Sequence, residues 1–330
     1  MSFREIKGQV RPIQIIQDYI RQSRVAGGYL FLGPEAIGKR LAAYTFAKAL
    51  NCQRDTVDSC DSCPSCLKID KHQHPDVRSI GEGSISDTEN PDTQDIKIDQ
   101  IRQLQREINL KAYEARKKVF IIDNAHRLTP EASNALLKVL EEPPADSVII
   151  LISSQPKLLF KTIVSRCQVV KFYPINRIWL KELLKKDYGL SEEAAHFLAY
   201  FSEGRIGRAI RLKDTETLKQ KNLVIDNFTL QDGSYIQEMA KQNREQLRNQ
   251  LNILASWFRD IYIMKAGLAH SEIINIDRKQ QLLRVMNRYS FTDLDEILNL
   301  ISDALFYIEQ NINLRLLLSN LIENINFNCG

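Results

Sequence analysis

YLFLGPEAIGKRLAAYTFAKAL, residues 29–50, is the stretch from which the rest of the chain is read. Tyr29–Leu32 is a short, continuous apolar run, the pattern of a strand buried on both faces of a parallel sheet. Gly33-Pro34-Glu35-Ala36-Ile37-Gly38-Lys39 follows it and matches G-x-x-x-x-G-K. Leu41–Leu50 behind it has a helical pattern, so the motif stands in the strand–loop–helix setting that a phosphate loop requires. Gly33 and Gly38 let backbone N–H groups wrap a phosphate chain, and the helix N-terminus adds favourable partial charge. Lys39 would reach the outer phosphates. Position 40 is Arg40, where a working loop has Ser or Thr to hold Mg²⁺. A guanidinium cannot ligate a cation and repels one. Two readings stay open: a loop that binds ATP or another nucleotide, and a phosphate loop kept as scaffold.

Working outward, further apolar runs lie at Val119–Ile122, Val148–Ile152 and Val169–Phe172, with a weaker one at Val77–Ile80. Helical spacing lies between them, at Ile101, Leu104 and Ile108, and again at Ala132, Ala135, Leu136, Val139 and Leu140. Thr129 and Pro130 form a start signal for the second helix. Glu141-Glu142-Pro143-Pro144 ends it, because proline disfavours helix for the residue before it. Alternating strands and helices predict an α/β parallel-sheet domain over residues 1–175. The polar stretch Gly81–Asp95 predicts a surface loop. Beyond residue 176 the strand signals fade. Residues 176–213 predict a small helical domain. Residues 214–330 predict an all-α domain, with stripes at Leu251, Leu254, Ala255, Phe258, Ile261 and Tyr262, and at Leu294, Ile297, Leu298, Ile301, Leu305 and Ile308.

Four further constellations carry chemistry. Val119–Ile122 ends in Asp123, the pattern in which an aspartate supports Mg²⁺ beside a phosphate loop; on its own it is also an ordinary buried strand with a polar end. Next comes Asn124, which is neutral and cannot act as a base. Cys52, Cys60, Cys63 and Cys66 form C-x7-C-x2-C-x2-C in a module spanning about residues 51–72. Four thiolates in close pairs suit tetrahedral zinc. The C-x2-C-x2-C core also opens iron–sulfur sites, and the lack of a following C-x3-C-P favours zinc. His72 and His74 are nearby, but four cysteines already close a structural site. Ser165-Arg166-Cys167 precedes the last strand. An arginine there either satisfies a local carboxylate or, in an oligomer of phosphate-loop proteins, reaches a neighbour's transferring phosphate. Gly204-Arg205-Ile206-Gly207-Arg208-Ala209 offers helix-surface cations or phosphate sensors.

Composition narrows the class. The chain has 330 residues, 44% hydrophobic and 26% charged, with a formal net charge of +4, ordinary for a globular protein of two or three domains. That charge neither demands nor excludes nucleic acid. No run of about 18 apolar residues predicts a membrane span, and MSFREIKGQV has no signal-peptide core, so a cytoplasmic protein is the expectation.

Taken in order, these pieces resemble the bacterial clamp-loader family of AAA+ proteins. The resemblance rests on Gly8-Gln9, on Tyr29–Lys39, on the four cysteines after the phosphate-loop helix and on Asp123-Asn124-Ala125-His126. It continues through Asn134–Lys138 leading to Leu140-Glu141-Glu142-Pro143-Pro144, and through Ser165-Arg166-Cys167, so it spans about residues 5–210. In the last third it is carried chiefly by Trp257-Phe258-Arg259-Asp260. It implies an AAA+ domain with an inserted zinc module, a helical lid and a helical collar.

The family's motor subunit, gamma/tau, carries G-K-T or G-K-S and an acidic residue after the Asp of the second motif. Arg40 and Asn124 replace both, so the resemblance points to the non-motor subunit that closes the ring. It implies Arg166 as a finger to a neighbour's ATP, and Arg208 as a second nucleotide-sensing arginine. Ser153-Ser154-Gln155-Pro156 falls in the first sensor region. The implied partners are the gamma/tau and delta subunits, the β sliding clamp and primed DNA. Two alternatives stand beside this reading: an active ATPase, and a zinc-containing nucleic-acid-binding module with a relic phosphate loop.

Overall fold

Ser147–Ser153 is buried along all seven residues, and its apolar side chains alternate between two separate clusters. It is the fourth strand, β4, of a five-stranded parallel sheet, and the alternation is what a strand covered on both faces requires. The protein is described here from a computed structural model, which describes residues 2–54, 57–81, 95–214, 217–229, 243–268 and 272–308. The other strands are β1 (Gly28–Leu32), β2 (Val77–Ile80), β3 (Lys118–Ile122) and β5 (Gln168–Lys171), in the spatial order β2-β3-β4-β1-β5. The chain leaves central β1 for the far edge, returns through β3 and β4, and adds β5 on the other side of β1.

Helices fill both faces. Ile13 and Ile16 of α1 (Val10–Arg21) join Ala42, Ala43, Phe46 and Ala47 of α2 (Lys39–Asn51) against Tyr29, Phe31, Val119, Ile121, Val148 and Ile150. On the opposite face, Ile101, Leu104 and Ile108 of α4 (Ile98–Ile108) join Ala132, Leu136, Val139 and Leu140 of α5 (Pro130–Glu141) against Leu30, Phe120, Ile149 and Leu151. Thr129 caps α5 by accepting from the Ala132 amide at 3.2 Å, with Pro130 in the first turn. Two short helices complete this set, α3 (Pro64–Asp70) in the cysteine module and α6 (Lys161–Val164) before β5. The parallel α/β domain expected from the alternating pattern is the one the chain adopts.

The described residues fall into two units. The first runs to Ile175 and takes in Arg205–Gly207; the second holds Asn176–Gly204 and the described residues from Arg208 on. The second unit is helical: α7 (Arg177–Tyr188), α8 (Glu192–Phe201), most of α9 (Ile206–Asp214), α10 (Thr217–Thr229), α11 (Arg244–Lys265), α12 (Lys279–Val285) and α13 (Phe291–Tyr307). Both stripes predicted there are buried at Leu251, Leu254, Phe258 and Ile261 and at Leu294, Ile297 and Ile301.

A polar hub ties this unit together. The buried Asp260 carboxylate accepts from the Ile274 amide (3.0 Å) and from the amide (2.7 Å) and Nδ2 (2.8 Å) of Asn275. The Ile273 carbonyl lies 2.7 Å from His196 Nε2 of α8, and Lys221 of α10 donates to Asp277 at 2.6 Å. No described helix is long and apolar enough to cross a membrane. Residues 82–94, most of the expected surface loop, and residues 309–330, including Cys329, lie outside the described residues.

Candidate functional site

The phosphate loop leaves β1 at its C-terminal end and runs into α2. Gly33 has φ +148°, and a Cβ there would meet the Phe172 carbonyl oxygen at 2.4 Å and Ile37 Cδ1 at 2.8 Å. Only glycine fits both the conformation and the space. Gly38, at φ +97°, is the N-cap of α2. Behind the loop, buried Gln9 donates from Nε2 to the carbonyls of Ile37 (3.2 Å) and Tyr173 (2.7 Å), clamping the loop's end to the chain leaving β5. At the loop's apex, the Ala36 carbonyl accepts from the Gly207 amide at 2.8 Å. Gly207 has no side chain for a reason: a Cβ would lie 2.8 Å from that same oxygen. Sequence reasoning quoted Gln9 and Gly207 within motifs without finding these roles. Their partners are far away in the chain, with no local signal.

Lys39 folds back into the loop. Its ammonium donates to the Gly33 and Pro34 carbonyls at 2.5 Å each, and the residue is 6% exposed. Burial pulls its pKa down to about 8, against the upward pull of Asp123 and Glu35. Asp123 is half-buried at the end of β3 and accepts from the Asn124 amide at 2.9 Å. Asn124 itself adopts a left-handed turn at φ +50°. His126 Nδ1 lies 3.3 Å from Ser153 Oγ at the end of β4, and burial lowers its pKa, helped by Arg127. So Lys39, Asp123, His126 and Ser153 meet at the C-terminal edge of the sheet. Arg40 lies on the exposed side of α2, its guanidinium 5.8 Å from the Tyr44 ring centroid. No hydroxyl stands at position 40 to complete a magnesium site.

Arg166 is exposed between α6 and β5. It donates to the Thr162 carbonyl at 3.0 Å and pairs with Glu141 Oε1 at 2.8 Å. Burial pushes the neighbouring Cys167 thiol up to about 12, so that thiol is inert at neutral pH. Arg208, in the second unit, is half-buried. Its guanidinium lies 5.3 Å from the Phe201 ring centroid and 3.9 Å from Glu203 Oε1.

The cysteine module begins where α2 stops, with Cys52 as its C-cap. The sulfurs of Cys52, Cys60, Cys63 and Cys66 all lie within 4.8 Å of one another. One tetrahedral zinc with bonds of about 2.3 Å places its sulfurs about 3.8 Å apart, inside that envelope. An iron–sulfur cluster, whose thiolates bind separate irons, needs a wider cage, so the geometry favours a single ion. The Cys63 amide points at Cys60 Sγ (3.3 Å) and the Cys66 amide at Cys63 Sγ (3.5 Å).

Such donors favour thiolate. The backbone of Ser62, with further donors, lowers the Cys60 pKa to about 6. At Cys63 burial raises the pKa, but the amides of Gln53 and Cys66 outweigh it. Burial dominates at Cys66 and raises its pKa. His72 and His74 stay out of the cluster: the His72 ring packs edge-on against Tyr44, and His74 Nδ1 accepts from the Asp76 amide at 3.2 Å.

Residues 8–176 match the family model described as DNA polymerase III, delta subunit, and residues 215–326 match the model of that subunit's C terminal. The chain is 33% identical over 205 residues to DNA polymerase III subunit delta' of Bacillus subtilis (strain 168), covering 62% of this chain and 59% of that one. It is 34% identical over 222 residues to subunit tau of the same organism, covering 64% of this chain and 37% of the relative. The match therefore spans less than two thirds of either relative. A solved structure of a DNA polymerase III gamma-subunit-related protein from Thermotoga maritima aligns over 96% of this chain and 99% of its own, with a TM-score of 0.45 and 16% identity.

Proposed function

Because the chain belongs to the DNA polymerase III delta subunit family, we propose that it is the non-motor, delta-prime-like subunit of a clamp loader. In this role it helps place the β sliding clamp on primed DNA and does not hydrolyse ATP itself. The observation that carries the reading is the phosphate loop, folded but without its catalytic parts. Gly33, Gly38 and Lys39 keep the loop's shape, while Arg40 offers no metal ligand and Asn124 no base beside Asp123. Lys39 is already satisfied by two carbonyls of its own loop, so a phosphate must compete with them.

Arg166 is the group this chain would give. It is exposed, and its carboxylate partner, Glu141, is also exposed, so releasing it costs at most about 1 kcal/mol. Presented to ATP on an adjacent gamma/tau subunit, it would stabilise charge on the transferring phosphate, an effect worth about 10³- to 10⁵-fold in rate. Arg208 would serve as a second phosphate-sensing cation. Structural zinc on Cys52, Cys60, Cys63 and Cys66 would hold the module against α2. The delta subunit is the other loader partner in this reading.

The similarity to tau favours one competing reading, an active gamma/tau-like ATPase. ATP turnover by the reconstituted loader with clamp and primed DNA separates the two. Arg166→Ala is expected to cut turnover at least about 10³-fold while Lys39→Ala changes it little. A collapse with Lys39→Ala and a mild effect of Arg166→Ala makes the chain an ATPase.

A further inference from the structure

The loop between α4 and β3, residues 109–117, has no regular structure, yet three buried polar side chains hold it. Lys118 donates to the carbonyls of Glu107 and Leu110, the latter at 2.9 Å. Asp76, 5% exposed, accepts from the amides of Tyr113 (2.9 Å), Glu114 (2.8 Å) and Ala115 (2.9 Å). Asn51, at the end of α2, pairs with both backbone groups of Lys117, at 3.0 and 2.9 Å. Burying polar groups is unfavourable unless they are bonded in this way. Here those bonds go to the backbone of the loop and of the helix end that feeds it, so the loop is fixed from end to end.

What the fixed loop displays is apolar. Tyr113 is 84% exposed and Leu110 66%. Ala112 is exposed between them and Ala115 half-buried beside them. Exposed apolar side chains on a rigid loop lose little entropy on binding, the condition under which an aromatic anchor contributes most to an interface.

Charge narrows the partner. Both oxygens of Glu114 are engaged by Lys68, at 2.8 and 2.6 Å. Lys111 is exposed with no carboxylate partner among the described residues, and Arg106 on the last turn of α4 is exposed beside it in sequence. A single-stranded nucleic acid calls for successive aromatics along a cationic track. This loop has one aromatic, with a carboxylate next to it in the chain.

We infer that the Leu110–Tyr113 loop is a docking surface for a protein partner whose apolar pocket, rimmed by carboxylates, takes the Tyr113 ring and the Leu110 side chain. The loop leads into the N-terminal end of β3, whereas the phosphate loop leaves the C-terminal end of β1 in the same parallel sheet. The two surfaces therefore lie at opposite edges, and one can be altered without the other.

The inference rests on the clamp-loader reading for the choice of probes: the gamma/tau and delta subunits, the β clamp and primed DNA. Affinity of the full-length chain for each purified protein is measured separately, and affinity of the assembled loader for primed DNA is measured in parallel. Tyr113→Ala is expected to weaken one protein component at least about tenfold, with Tyr113→Phe close to wild type and DNA affinity unchanged. Lys111→Glu is expected to weaken the same component, and more so at low salt. Protein affinities within about twofold of wild type, or a loss confined to DNA, overturn the inference. Arg166→Ala turnover in the same assembly keeps the outcomes apart: if it still collapses while Tyr113→Ala is silent, the docking surface fails and the arginine reading stands.

Discussion

At the scale of single residues, Lys39 concentrates the electrostatics of the phosphate loop. Its folded pKa of about 8 lies below its ordinary value of 10.5, so the unfolded chain holds its proton more tightly. The sign follows: the charged lysine penalises folding below pH 8, and the penalty fades as pH rises from 8 to 10.5. Lys39→Met removes the group, so its stability advantage over wild type, on the order of 3 kcal/mol near neutral pH, should shrink across that window. Urea denaturation at several pH values reads this directly, and a pH-independent difference contradicts it. Gly33→Ala should lose at least about 2 kcal/mol, because the clash with the Phe172 carbonyl adds to left-handed strain. Glu141→Gln should leave loader turnover within a few-fold, since the exposed pair with Arg166 is weak; a large loss would mean that Glu141 positions the arginine. At this scale the sequence is readable wherever spacing encodes chemistry, as in the phosphate loop and the four cysteines. It is silent on Gln9, Gly207 and Asp76, whose partners are fixed only when distant segments meet.

Among the elements, α2 joins two sites. Its first turn follows the phosphate loop, and its C-cap is Cys52. Near its end, Lys48, with a side chain 2% exposed, pairs with Asp61 at 2.6 Å and Asp70 at 2.8 Å. Burial works against its charge, and the two carboxylates outweigh that and raise its pKa. Asp61 sits in a left-handed turn between Cys60 and Cys63, so Lys48 holds the knuckle from the helix side. Lys48→Met should speed metal release to a chromogenic chelator about tenfold, with Lys48→Arg restoring part of the retention. Equal release rates would show that the knuckle holds its shape without the lysine. The helix α5 is legible down to its cap, because Thr-Pro followed by apolar residues at helical spacing is a local code. The apolar run Val169–Phe172 sits one residue later than the last strand, Gln168–Lys171, because Phe172 continues the run while its side chain packs in the core beyond the strand.

For the whole molecule, the division into two units makes an internal control available. The chain has two tryptophans, Trp179 and Trp257, and both lie in the second unit, whereas all four clustered cysteines lie in the first. Asp260→Ala should destabilise the unit reported by tryptophan fluorescence by about 2–4 kcal/mol, through loss of the bonds to Ile274 and Asn275. The denaturation midpoint seen by thiol reactivity should not move; a joint shift would mean that the two units unfold as one. The α/β half is legible because alternating buried strands and amphipathic helices leave a periodic trace. The hub of the second unit is not, because an aspartate inside a helical stripe looks like any surface carboxylate until Asn275 is brought against it.

The alternation along β3 and β4 also bears on how such a chain can change over generations. Every residue from Val148 to Ile152 belongs to one apolar cluster or the other, in strict turn. Swapping one aliphatic for another leaves that assignment intact. Losing or gaining a single codon there exchanges the two faces for every position downstream in the strand. Drift in these strands should therefore proceed by replacement and almost never by change of length.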